Sequence, residues 1–495
     1  MDRPDSDQAL ARFHDGGGLL YPFRHGYAAL GALLDAMPAE TWRHDEAVLG
    51  GLVLYLVKQG QAARAKSYLT AANLAFEKTD LYDFLELLLA LHMGEIVSAR
   101  NMTAWRRLER SLPVTEPLLL GLYYNAMMAM GVRLGQLNEA RVAGQQAISC
   151  YREDGHVYLE HFIHIHLADL DVIEGRLHRA ERGLSASERC LVQAGVSYGN
   201  EQAVIGIIRL AIAYERGDLA RVRREAEGLR ASLLGGDSWS ELFFQLARIA
   251  VLSAYFLEGR EAARRELGVF QADYARRHGG VASTVDALNA RIWQLDWHPN
   301  EAERALDLVQ GLPMQSAIGR LVLDELEAAM GLAPPVPSQT PRGAIVAHLQ
   351  TAQRSRGPAR RAAIEAALKL ALDEGQIGPF LENRDVFLGV SAKLASSPFA
   401  RRNRKYARLV ARVLRQVEQS YVVPEPLSAI GFNRRQYRVA SALQSGATNK
   451  QIALQLGASE ATVKYHLTSI YRLTGKRRRS ELIDFISEHV EMEKI

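Results

Sequence analysis

The sequence SGATNKQIALQLGASEATVKYHLTSIY runs from Ser445 to Tyr471 and contains the signals for two short helices separated by a tight turn. Thr448 and Ser459 are good N-cap residues, because their side-chain oxygens can accept a hydrogen bond from a free backbone N–H of the first helical turn. Gly457 fits the turn between the two helices. The pattern predicts a helix-turn-helix motif, with helices over Asn449–Leu456 and Glu460–Leu473.

Residues that typically begin or end helices also occur on both sides of the helix-turn-helix motif. Asn433 can cap a preceding helix over Arg434–Gln444, Gly475 ends the helix that follows the turn, and Ser480 begins a last helix. Apolar residues at helical spacing predict the seam between the two motif helices, namely Ala453, Leu456, Val463, Leu467 and Ile470. We therefore expect a four-helix C-terminal domain over residues 425–495.

This C-terminal stretch resembles the LuxR/GerE family of regulators, whose pattern reads G-x-S-N-K-E-I-A-x-x-L-x-I-S-x-x-T-V-K-x-H-x-x-x-I-Y. The matching positions are Gly446, Asn449, Lys450, Ile452, Ala453, Leu456, Ser459, Thr462, Val463, Lys464, His466, Ile470, Tyr471, Gly475 and Arg479. Isolated matches occur by chance, but this density at fixed offsets does not. The resemblance implies a transcriptional regulator that binds double-stranded DNA.

The resemblance also implies which side chains meet DNA. The second motif helix enters the major groove with Lys464, Tyr465 and Thr468 towards the bases, while helix starts and the basic loop contact phosphates. We interpret His466 as a packing residue, and Arg479 has a competing role in holding the last helix. The residues expected to contact DNA are Thr448, Asn449, Lys450, Ser459, Thr462, Val463, Lys464, Tyr465, Thr468, Arg472, Lys476 and Arg477.

The charge distribution agrees with contact to DNA at one end of the chain. Residues 431–480 contain ten Lys/Arg and one acid, a net charge of +9, whereas the whole chain carries +4. The remaining residues therefore carry 4 − 9 = −5. A basic module on a mildly acidic body is typical of a nucleic-acid-binding protein, although a solvated basic face has the same composition.

The last helix has an apolar stripe that predicts a dimer contact. In SELIDFISEHV, Leu482, Phe485, Ile486 and Val490 recur at helical spacing. An apolar stripe left over on a small domain often marks an interface. The LuxR resemblance implies pairing through this helix, as a homodimer on inverted half-sites.

Upstream, a short signal recurs with a period typical of helical repeats. GQAARA, GEIVSA, GQLNEA and GRLHRA begin at Gly60, Gly94, Gly135 and Gly175, and degenerate copies follow at Gly217 and Gly259. The spacings are 34, 41, 40, 42 and 42 residues. Gly can end one helix at positive φ, and a small Ala lets the next helix pack closely. The pattern predicts helical hairpins stacked into a TPR-like solenoid, with an irregular α-bundle as the alternative.

Proline-rich segments mark the predicted boundaries. The segment LAPPVPSQTPRG, residues 332–343, is unfavourable for a helix, so we predict a linker or loop over this range. The predicted repeat array precedes it over residues 1–331, and a predicted helical extension follows it over residues 344–424. Within that extension, the basic segment Ala400–Gln416 is interpreted as a helix packed on the array with its basic face in solvent, and a supporting role near DNA is the alternative. The fold class is therefore all-α.

A second resemblance concerns the segment before the C-terminal domain. ALDEGQIGPFLENRDVFLGVSAKL is similar to a stretch in large regulators of the maltose-regulon-activator group, with matches at Glu374, Gly375, Pro379, Phe380 and Leu381. Those proteins add an N-terminal ATPase to a helical-repeat sensor and a LuxR-type domain. This sequence contains no G-x-x-x-x-G-K-[ST] motif to bind the phosphates of ATP, so we expect a sensor without the ATPase.

Other chemistry has little support in the sequence. His161 and His164, at a spacing of i,i+3 with Asp169 or Glu160 nearby, could share a metal, but we favour packing or a polar lining. Cys150 and Cys190 lie in no CxxC or Cys/His cluster along the chain. We expect no metal, no cofactor and no enzymatic activity. The N-terminus has no apolar signal segment and no long apolar stretch occurs, so we expect a cytoplasmic protein that does not span the membrane.

Two functions remain open. One is a transcription factor whose array binds a small-molecule or peptide effector and controls DNA binding or the recruitment of RNA polymerase. The family resemblance favours an activator over a repressor. The other is a repeat-based adaptor whose C-terminal domain serves mainly dimerisation. Aromatic and His residues on the predicted array helices are candidates for effector binding or for packing, namely Tyr123, Tyr124, Tyr158, His161, His164, Trp239 and Phe243.

Overall fold

A computed structural model describes most of the chain and is all-α over the residues that it describes. The described residues are 3–76, 79–93, 99–113, 115–195, 200–234, 240–278, 283–296, 299–310, 316–334, 340–387, 390–444, 446–456 and 458–491. No helix in these ranges is long and apolar enough to cross a membrane.

Paired helices form the repeat array. Its first part contains α1 (Arg3–Asp15), α2 (Tyr21–His25), α3 (Tyr27–Ala36), α4 (Glu46–Lys58), α5 (Ala62–Phe76), α6 (Asp80–Met93), α7 (Ala99–Ser111), α8 (Pro117–Arg133), α9 (Leu137–Asp154), α10 (Val157–Glu174) and α11 (Leu177–Ala194), with 3-10 turns at Gly18–Leu20 and Thr41–Arg43. Its second part contains α12 (Asn200–Glu215), α13 (Leu219–Leu234), α14 (Ser240–Glu258), α15 (Arg260–His278), α16 (Ser283–Leu295), α17 (Pro299–Asp307) and α18 (Ala317–Met330).

The array continues into a connector and a C-terminal domain. The connector contains α19 (Pro341–Arg354), α20 (Gly357–Leu370), α21 (Gly378–Glu382), a 3-10 turn at Arg384–Phe387, α22 (Ser391–Ala395), α23 (Pro398–Arg402) and α24 (Arg404–Gln419). The C-terminal domain contains α25 (Glu425–Ala429), α26 (Arg434–Gln444), α27 (Asn449–Gln455), α28 (Glu460–Thr474) and α29 (Arg479–Glu491).

The recurring Gly marks the hairpin turns, as the sequence predicts. Gly135 follows α8 with φ of 73°, in the left-handed region that favours glycine. Ala140 of the next helix is fully buried, and a Cβ added at Gly131 would lie 3.1 Å from the Ala140 Cβ. The small residues therefore let α8 and α9 pack closely. The turns at Gly60, Gly175, Gly217 and Gly259 also have positive φ, whereas Gly94 lies outside the described residues.

Two large apolar cores fill the molecule. One extends from Ala9 to Leu167 and also includes Ala317. The other begins in α10 at Ile165 and extends through the array and connector to Ile486 in α29. The C-terminal domain therefore shares a core with the second half of the array, and the predicted boundary at residue 424 does not separate two cores.

The predicted linker over residues 332–343 is partly wrong. Thr340 caps α19 by accepting a hydrogen bond from the backbone N–H of Gly343, and Pro341 is the first residue of the helix. Proline is tolerated there because the first N–H groups of a helix have no intrahelical partner. Arg342, which the linker hypothesis places in solvent, is 1% exposed. Residues 335–339 lie outside the described residues.

Arg342 is the centre of a buried ion-pair cluster that joins the connector to the array. Its Nη1 lies 2.8 Å from Glu215 Oε2, and its Nη2 lies 3.1 Å from Glu382 Oε2 and 3.3 Å from Glu325 Oε1. Arg248 Nη2 donates to both Glu215 and Glu382, at 2.9 and 2.8 Å. The Arg342 cluster also includes Arg291, which donates to the Glu382 carbonyl at 2.8 Å.

Three arginines face three glutamates in the Arg342 cluster. Burial alone would raise the pKa of Glu382, but the guanidinium groups of Arg342, Arg248 and Arg291 outweigh it and lower the pKa to about 2. Glu382 is therefore ionised at neutral pH. Isolated charges at this depth would cost several kcal/mol each, so the cluster is stable only when its members are assembled together.

The segment that resembles the maltose-regulon-activator group inserts into the array beside this cluster. The backbone N–H of Ile377 donates to the Glu215 carbonyl at 2.6 Å. A Cβ at Gly378 would lie 2.8 Å from Glu215 Oε2, so only glycine fits there without a shift. Glu374 accepts a hydrogen bond from the backbone N–H of His178 in α11 at 2.8 Å. This segment therefore attaches the connector to the array.

The basic helix over Ala400–Gln416 also packs on the array, as predicted. Its part in α24 buries Tyr406, Val410 and Val413. The Gln416 amide donates to the carbonyl of Gly217 at 2.7 Å. The charged side chains on its opposite face remain exposed.

The connector and array present a polar surface to the C-terminal domain. Asp296, at the end of α16, accepts hydrogen bonds from Tyr255 at 3.3 Å and from Tyr437 of α26 at 3.4 Å, and its second oxygen lies 3.0 Å from Arg260. The guanidinium of Arg384 stacks 4.1 Å from the ring centroid of Tyr421. These contacts fix the position of α26 relative to the array.

We predict that Arg342→Ala destabilises the chain by about 3–5 kcal/mol, because it leaves buried carboxylates without their cation. Urea or thermal unfolding followed by circular dichroism measures the change. Arg361→Ala is the matched control, since Arg361 is exposed and lies 3.9 Å from Glu365, and we expect it to change stability by less than about 1 kcal/mol. Equal effects of the two variants would show that the Arg342 cluster contributes no more than a surface pair.

Candidate nucleic-acid interface

The helices of the C-terminal domain begin where their capping residues predict. Thr448 forms a capping box with Gln451, in which each side chain accepts a hydrogen bond from the backbone N–H of the other residue. Ser459 caps α28 by accepting from the backbone N–H of Thr462 at 3.0 Å. Gly475 ends α28 with φ of 67°. Gly457, predicted to form the turn, lies outside the described residues.

The apolar seam between α27 and α28 is confirmed. Ala453, Leu456, Val463, Leu467 and Ile470 are all buried. They fix one face of α28 against α27 and α26, so the opposite face of α28 is left to solvent. This arrangement is that of a helix-turn-helix motif with an accessible second helix.

The outward face of α28 carries polar side chains at helical spacing. Lys464, Tyr465, Thr468 and Arg472 are exposed, and Tyr465 reaches 72%. Lys464 Nζ lies 3.2 Å from Glu460 Oε1 one turn earlier, and Thr468 Oγ1 donates to the Lys464 carbonyl at 2.9 Å. Such a surface offers both cationic and hydroxyl donors to a groove of DNA.

The prediction that Val463 contacts DNA is wrong. Its side chain has no exposed surface, because it belongs to the apolar seam at a position between the exposed Thr462 and Lys464. A residue one position away on a helix is turned by about 100°, so it lies on another face. Val463 is therefore a core residue of the domain.

Arg479 holds the starts of two helices together. Its Nη1 donates to Asn449 Oδ1 at 3.0 Å, and its Nη2 donates to the carbonyl of Ala447. Asn449 thus already uses its side-chain oxygen, which leaves its amide nitrogen and backbone N–H as the groups to contact a phosphate. Lys450 is exposed.

The basic loop between α28 and α29 presents its cations unequally. Lys476 Nζ lies 5.2 Å from the ring centroid of Phe485, whereas Arg477 and Arg478 are exposed. The backbone N–H groups of Arg477 and Arg478 both donate to Glu481 Oε2 at 3.1 Å. These bonds lower the pKa of Glu481, so this carboxylate caps α29 in its charged form.

His466 is half-buried beside the seam. Burial and the nearby charges of Arg435 and Arg438 lower its pKa, and its ring lies edge-on to Tyr465 at 5.5 Å. A neutral imidazole in these contacts agrees with the packing role expected from the sequence.

The predicted dimer stripe is partly wrong. Leu482 and Ile486 are fully buried because α29 packs against α25 and α26, so they form part of the core rather than an exposed surface. Phe485 is half-buried. The side chain of Val490 lies outside the described residues.

The candidate effector residues differ in burial. Tyr123 and His161 are buried, and Ser187 Oγ lies 2.7 Å from His161 Nδ1. These two side chains pack within the array, which was the alternative left open by the sequence. Tyr124, Tyr158 and His164 are half-buried; Tyr124 donates to Glu109 at 2.8 Å and Tyr158 to Glu201 at 2.7 Å. Phe243 is buried and Trp239 lies outside the described residues.

The structure also brings connector cations beside the motif, which the sequence reading missed. Arg356, Arg361 and Lys393 line a groove of about 340 Å³ together with Leu454 of α27 and Ala458 before α28. All three cations are exposed. They lie more than 50 residues before Ser445, where the motif begins, so no local pattern connects them to it.

Comparison with known proteins agrees with this geometry. The family described as "Bacterial regulatory proteins, luxR family" matches residues 431–486, a range that contains α26, α27 and α28 and most of α29. No curated protein matches the chain. The matched range includes every polar residue of the outward face of α28. The chain therefore carries a LuxR-type helix-turn-helix domain and is a DNA-binding transcriptional regulator.

Proposed function

We propose that this regulator is an activator that binds DNA as a homodimer through α28 and couples a signal sensed by the helical array to DNA binding or to the recruitment of RNA polymerase. The observation that carries the DNA-binding part is the division of α28 into a buried face and an outward face of Lys464, Tyr465, Thr468 and Arg472. A helix fixed in this way can enter the major groove without unfolding the domain.

Each side chain on the outward face has a distinct role in this proposal. Lys464 donates to guanine O6 or N7, Thr468 bonds a base edge, and Tyr465 contacts a thymine methyl group or a phosphate. Lys464 must first leave Glu460, but both side chains are about half exposed or more. The exposed ion pair is worth less than about 1 kcal/mol, so this rearrangement costs little.

Phosphate contacts surround this base-reading face. Thr448, Asn449 and Lys450 lie at the start of α27, and Ser459 and Thr462 at the start of α28, where backbone N–H groups also favour anions. Further contacts are assigned to Arg472, Lys476 and Arg477. Of these, Lys476 is the weakest candidate because it lies over Phe485.

The sensory part of the proposal is supported by the array itself. A solenoid of hairpins offers an extended surface for a small organic ligand or a peptide. Tyr124, Tyr158 and His164 are the half-buried candidates for such contact. A ligand bound there changes DNA affinity only through its different affinities for two conformations of the array.

An electrophoretic mobility shift with the full chain tests the function. DNA from the promoter region beside the gene is titrated with protein at fixed salt, and unrelated DNA of equal length serves as competitor. A shift that survives excess competitor supports sequence-specific binding. A chain that dimerises but binds the two DNAs alike would favour the adaptor function.

We predict that Lys464→Ala weakens binding to the specific site by about 1–3 kcal/mol and relaxes the preference at one base pair. Fluorescence anisotropy on a set of single-base-pair variants measures both effects. The matched control is Lys405→Ala in α24, because Lys405 is also exposed and pairs with an acid, Asp373, at 3.7 Å. If affinity and base preference are both unchanged, the placement of α28 in the major groove is wrong.

We predict a different signature for the phosphate contacts. Lys450→Ala and Arg477→Ala should each weaken binding to all sequences alike and reduce the slope of log K against log salt by about one. Titrations at several salt concentrations, on specific and unrelated DNA, measure the slope. A loss confined to the specific site would assign these two side chains to base recognition instead.

We predict that Phe485→Glu lowers the dimer fraction of the full chain, because it places a charge on the half-buried part of the α29 stripe. Analytical ultracentrifugation with and without DNA of inverted half-sites measures this fraction. Leu454→Glu is the control, since Leu454 is 50% exposed and lies on α27 rather than α29. Equal dimer fractions for wild type and Phe485→Glu would place the dimer contact on the array.

A further inference from the structure

Three metal-ligating side chains meet across the hairpin of α10 and α11. Glu160 and His164 lie one turn apart on α10, and Cys190 lies on α11. One ligand atom from each residue, namely a carboxylate oxygen, an imidazole nitrogen and the thiol sulfur, lies within 4.8 Å of the other two. The spacing of i,i+4 places Glu160 and His164 on one helix face, and the antiparallel α11 supplies the third group.

Contrary to the expectation of no metal from the sequence, we propose that Glu160, His164 and Cys190 bind one Zn²⁺ ion per chain, with a water molecule as the fourth ligand. In that case His164 is a metal ligand rather than a contact to an effector. Thiolate, imidazole and carboxylate are the three protein ligands that zinc prefers. One thiolate and one carboxylate balance the two positive charges of the ion, so the bound site is neutral.

The three ligand atoms are close enough to coordinate one Zn²⁺ ion after a small movement of the side chains. Ligand atoms around a tetrahedral zinc ion lie about 3.5 Å apart, as its bond lengths of about 2.0–2.3 Å require. The groups must therefore close by about 1 Å. Glu160 and Cys190 are 4% and 8% exposed, whereas His164 is half-buried. We therefore expect the His164 ring to make most of the movement that closes the site.

Arg152 competes with the metal for Glu160. Its Nε lies 2.9 Å from Glu160 Oε2, and its side chain is 63% exposed while that of Glu160 is 6% exposed. The arginine can therefore swing into solvent when a metal replaces it. Its charge also repels an incoming cation. Removal of this cation should strengthen metal binding, which simple packing of the three residues does not explain.

Binding of Zn²⁺ to these three residues releases one proton and needs no oxidant, reductant or other reactant. The Cys190 thiol loses one proton to solvent as the sulfur binds Zn²⁺, a Glu160 oxygen donates a lone pair, and so does a nitrogen of the neutral His164 ring. Affinity should therefore fall as the pH is lowered, with release of one proton per ion from the thiol.

Cobalt is the spectroscopic probe for this site. The full chain is stripped with a chelator and titrated with Co²⁺, and then Zn²⁺ is added to displace it. We expect a thiolate-to-cobalt charge-transfer band that saturates at one equivalent and disappears on addition of Zn²⁺. We also expect the melting temperature to rise with Zn²⁺ concentration, because an ion that binds only the folded chain stabilises it.

Four variants make the assignment specific. Cys190→Ser should abolish the charge-transfer band, and His164→Gln should weaken metal affinity at least tenfold without disturbing a buried residue. Cys150→Ser is the matched control, since Cys150 is the other cysteine and lies on α9, and it should keep the band. Arg152→Gln should tighten metal binding several-fold. Circular dichroism without metal checks that each variant is folded.

Three outcomes would overturn the proposal. One is the lack of a saturable cobalt band in the wild-type chain. Another is a band that Cys150→Ser removes and Cys190→Ser keeps. The third is metal affinity that neither His164→Gln nor Arg152→Gln changes. DNA binding is not used as a readout, so failure of the zinc site leaves the proposed regulatory function untouched.

Discussion

A buried cluster of three arginines and three glutamates holds the connector of this regulator to its repeat array. Each hairpin of a solenoid contacts mainly its neighbours, so a segment that follows the last hairpin needs long-range contacts to acquire a fixed position. Arg342 of α19 provides them, because it contacts Glu215, Glu325 and Glu382 on three other helices. Because every member loses its hydration on burial, partial assembly is unfavourable. The cluster therefore forms as a unit and sets where the connector lies.

The position of the DNA-binding domain follows from that of the connector. The C-terminal domain shares an apolar core with the second half of the array, and Tyr437 contacts Asp296 beside the stacked ring of Tyr421. A rearrangement of the array hairpins would therefore act directly on α26, which packs against α28. In the proposed function this is the route by which a ligand on the array biases DNA binding.

Sequence reasoning was accurate where the deciding interactions are local. The helix starts at Thr448 and Ser459 were predictable because a cap involves residues only two or three positions apart. The seam containing Val463 and Leu467 was predictable because apolar spacing matches the helical period. The hairpin turns, such as the one at Gly135, were predictable because positive φ favours glycine. Together these signals gave the fold class and the identity of the domain.

Burial and long-range pairing were decided only by the tertiary structure. The apolar spacing in α29 is the same for a dimer surface and for a core face. Only the packing of α29 against α25 and α26 shows that Leu482 and Ile486 are core residues. Arg342 follows a proline-rich stretch whose local signals indicate a loop, and its partners lie up to 127 residues away. Cys190 meets His164 only because two helices run antiparallel. The sequence by itself determined the helices, their turns and the DNA-binding motif, since these depend on contacts within a few residues. Tertiary structure alone decided which charges are buried and which side chains meet, because these depend on what packs from distant parts of the chain.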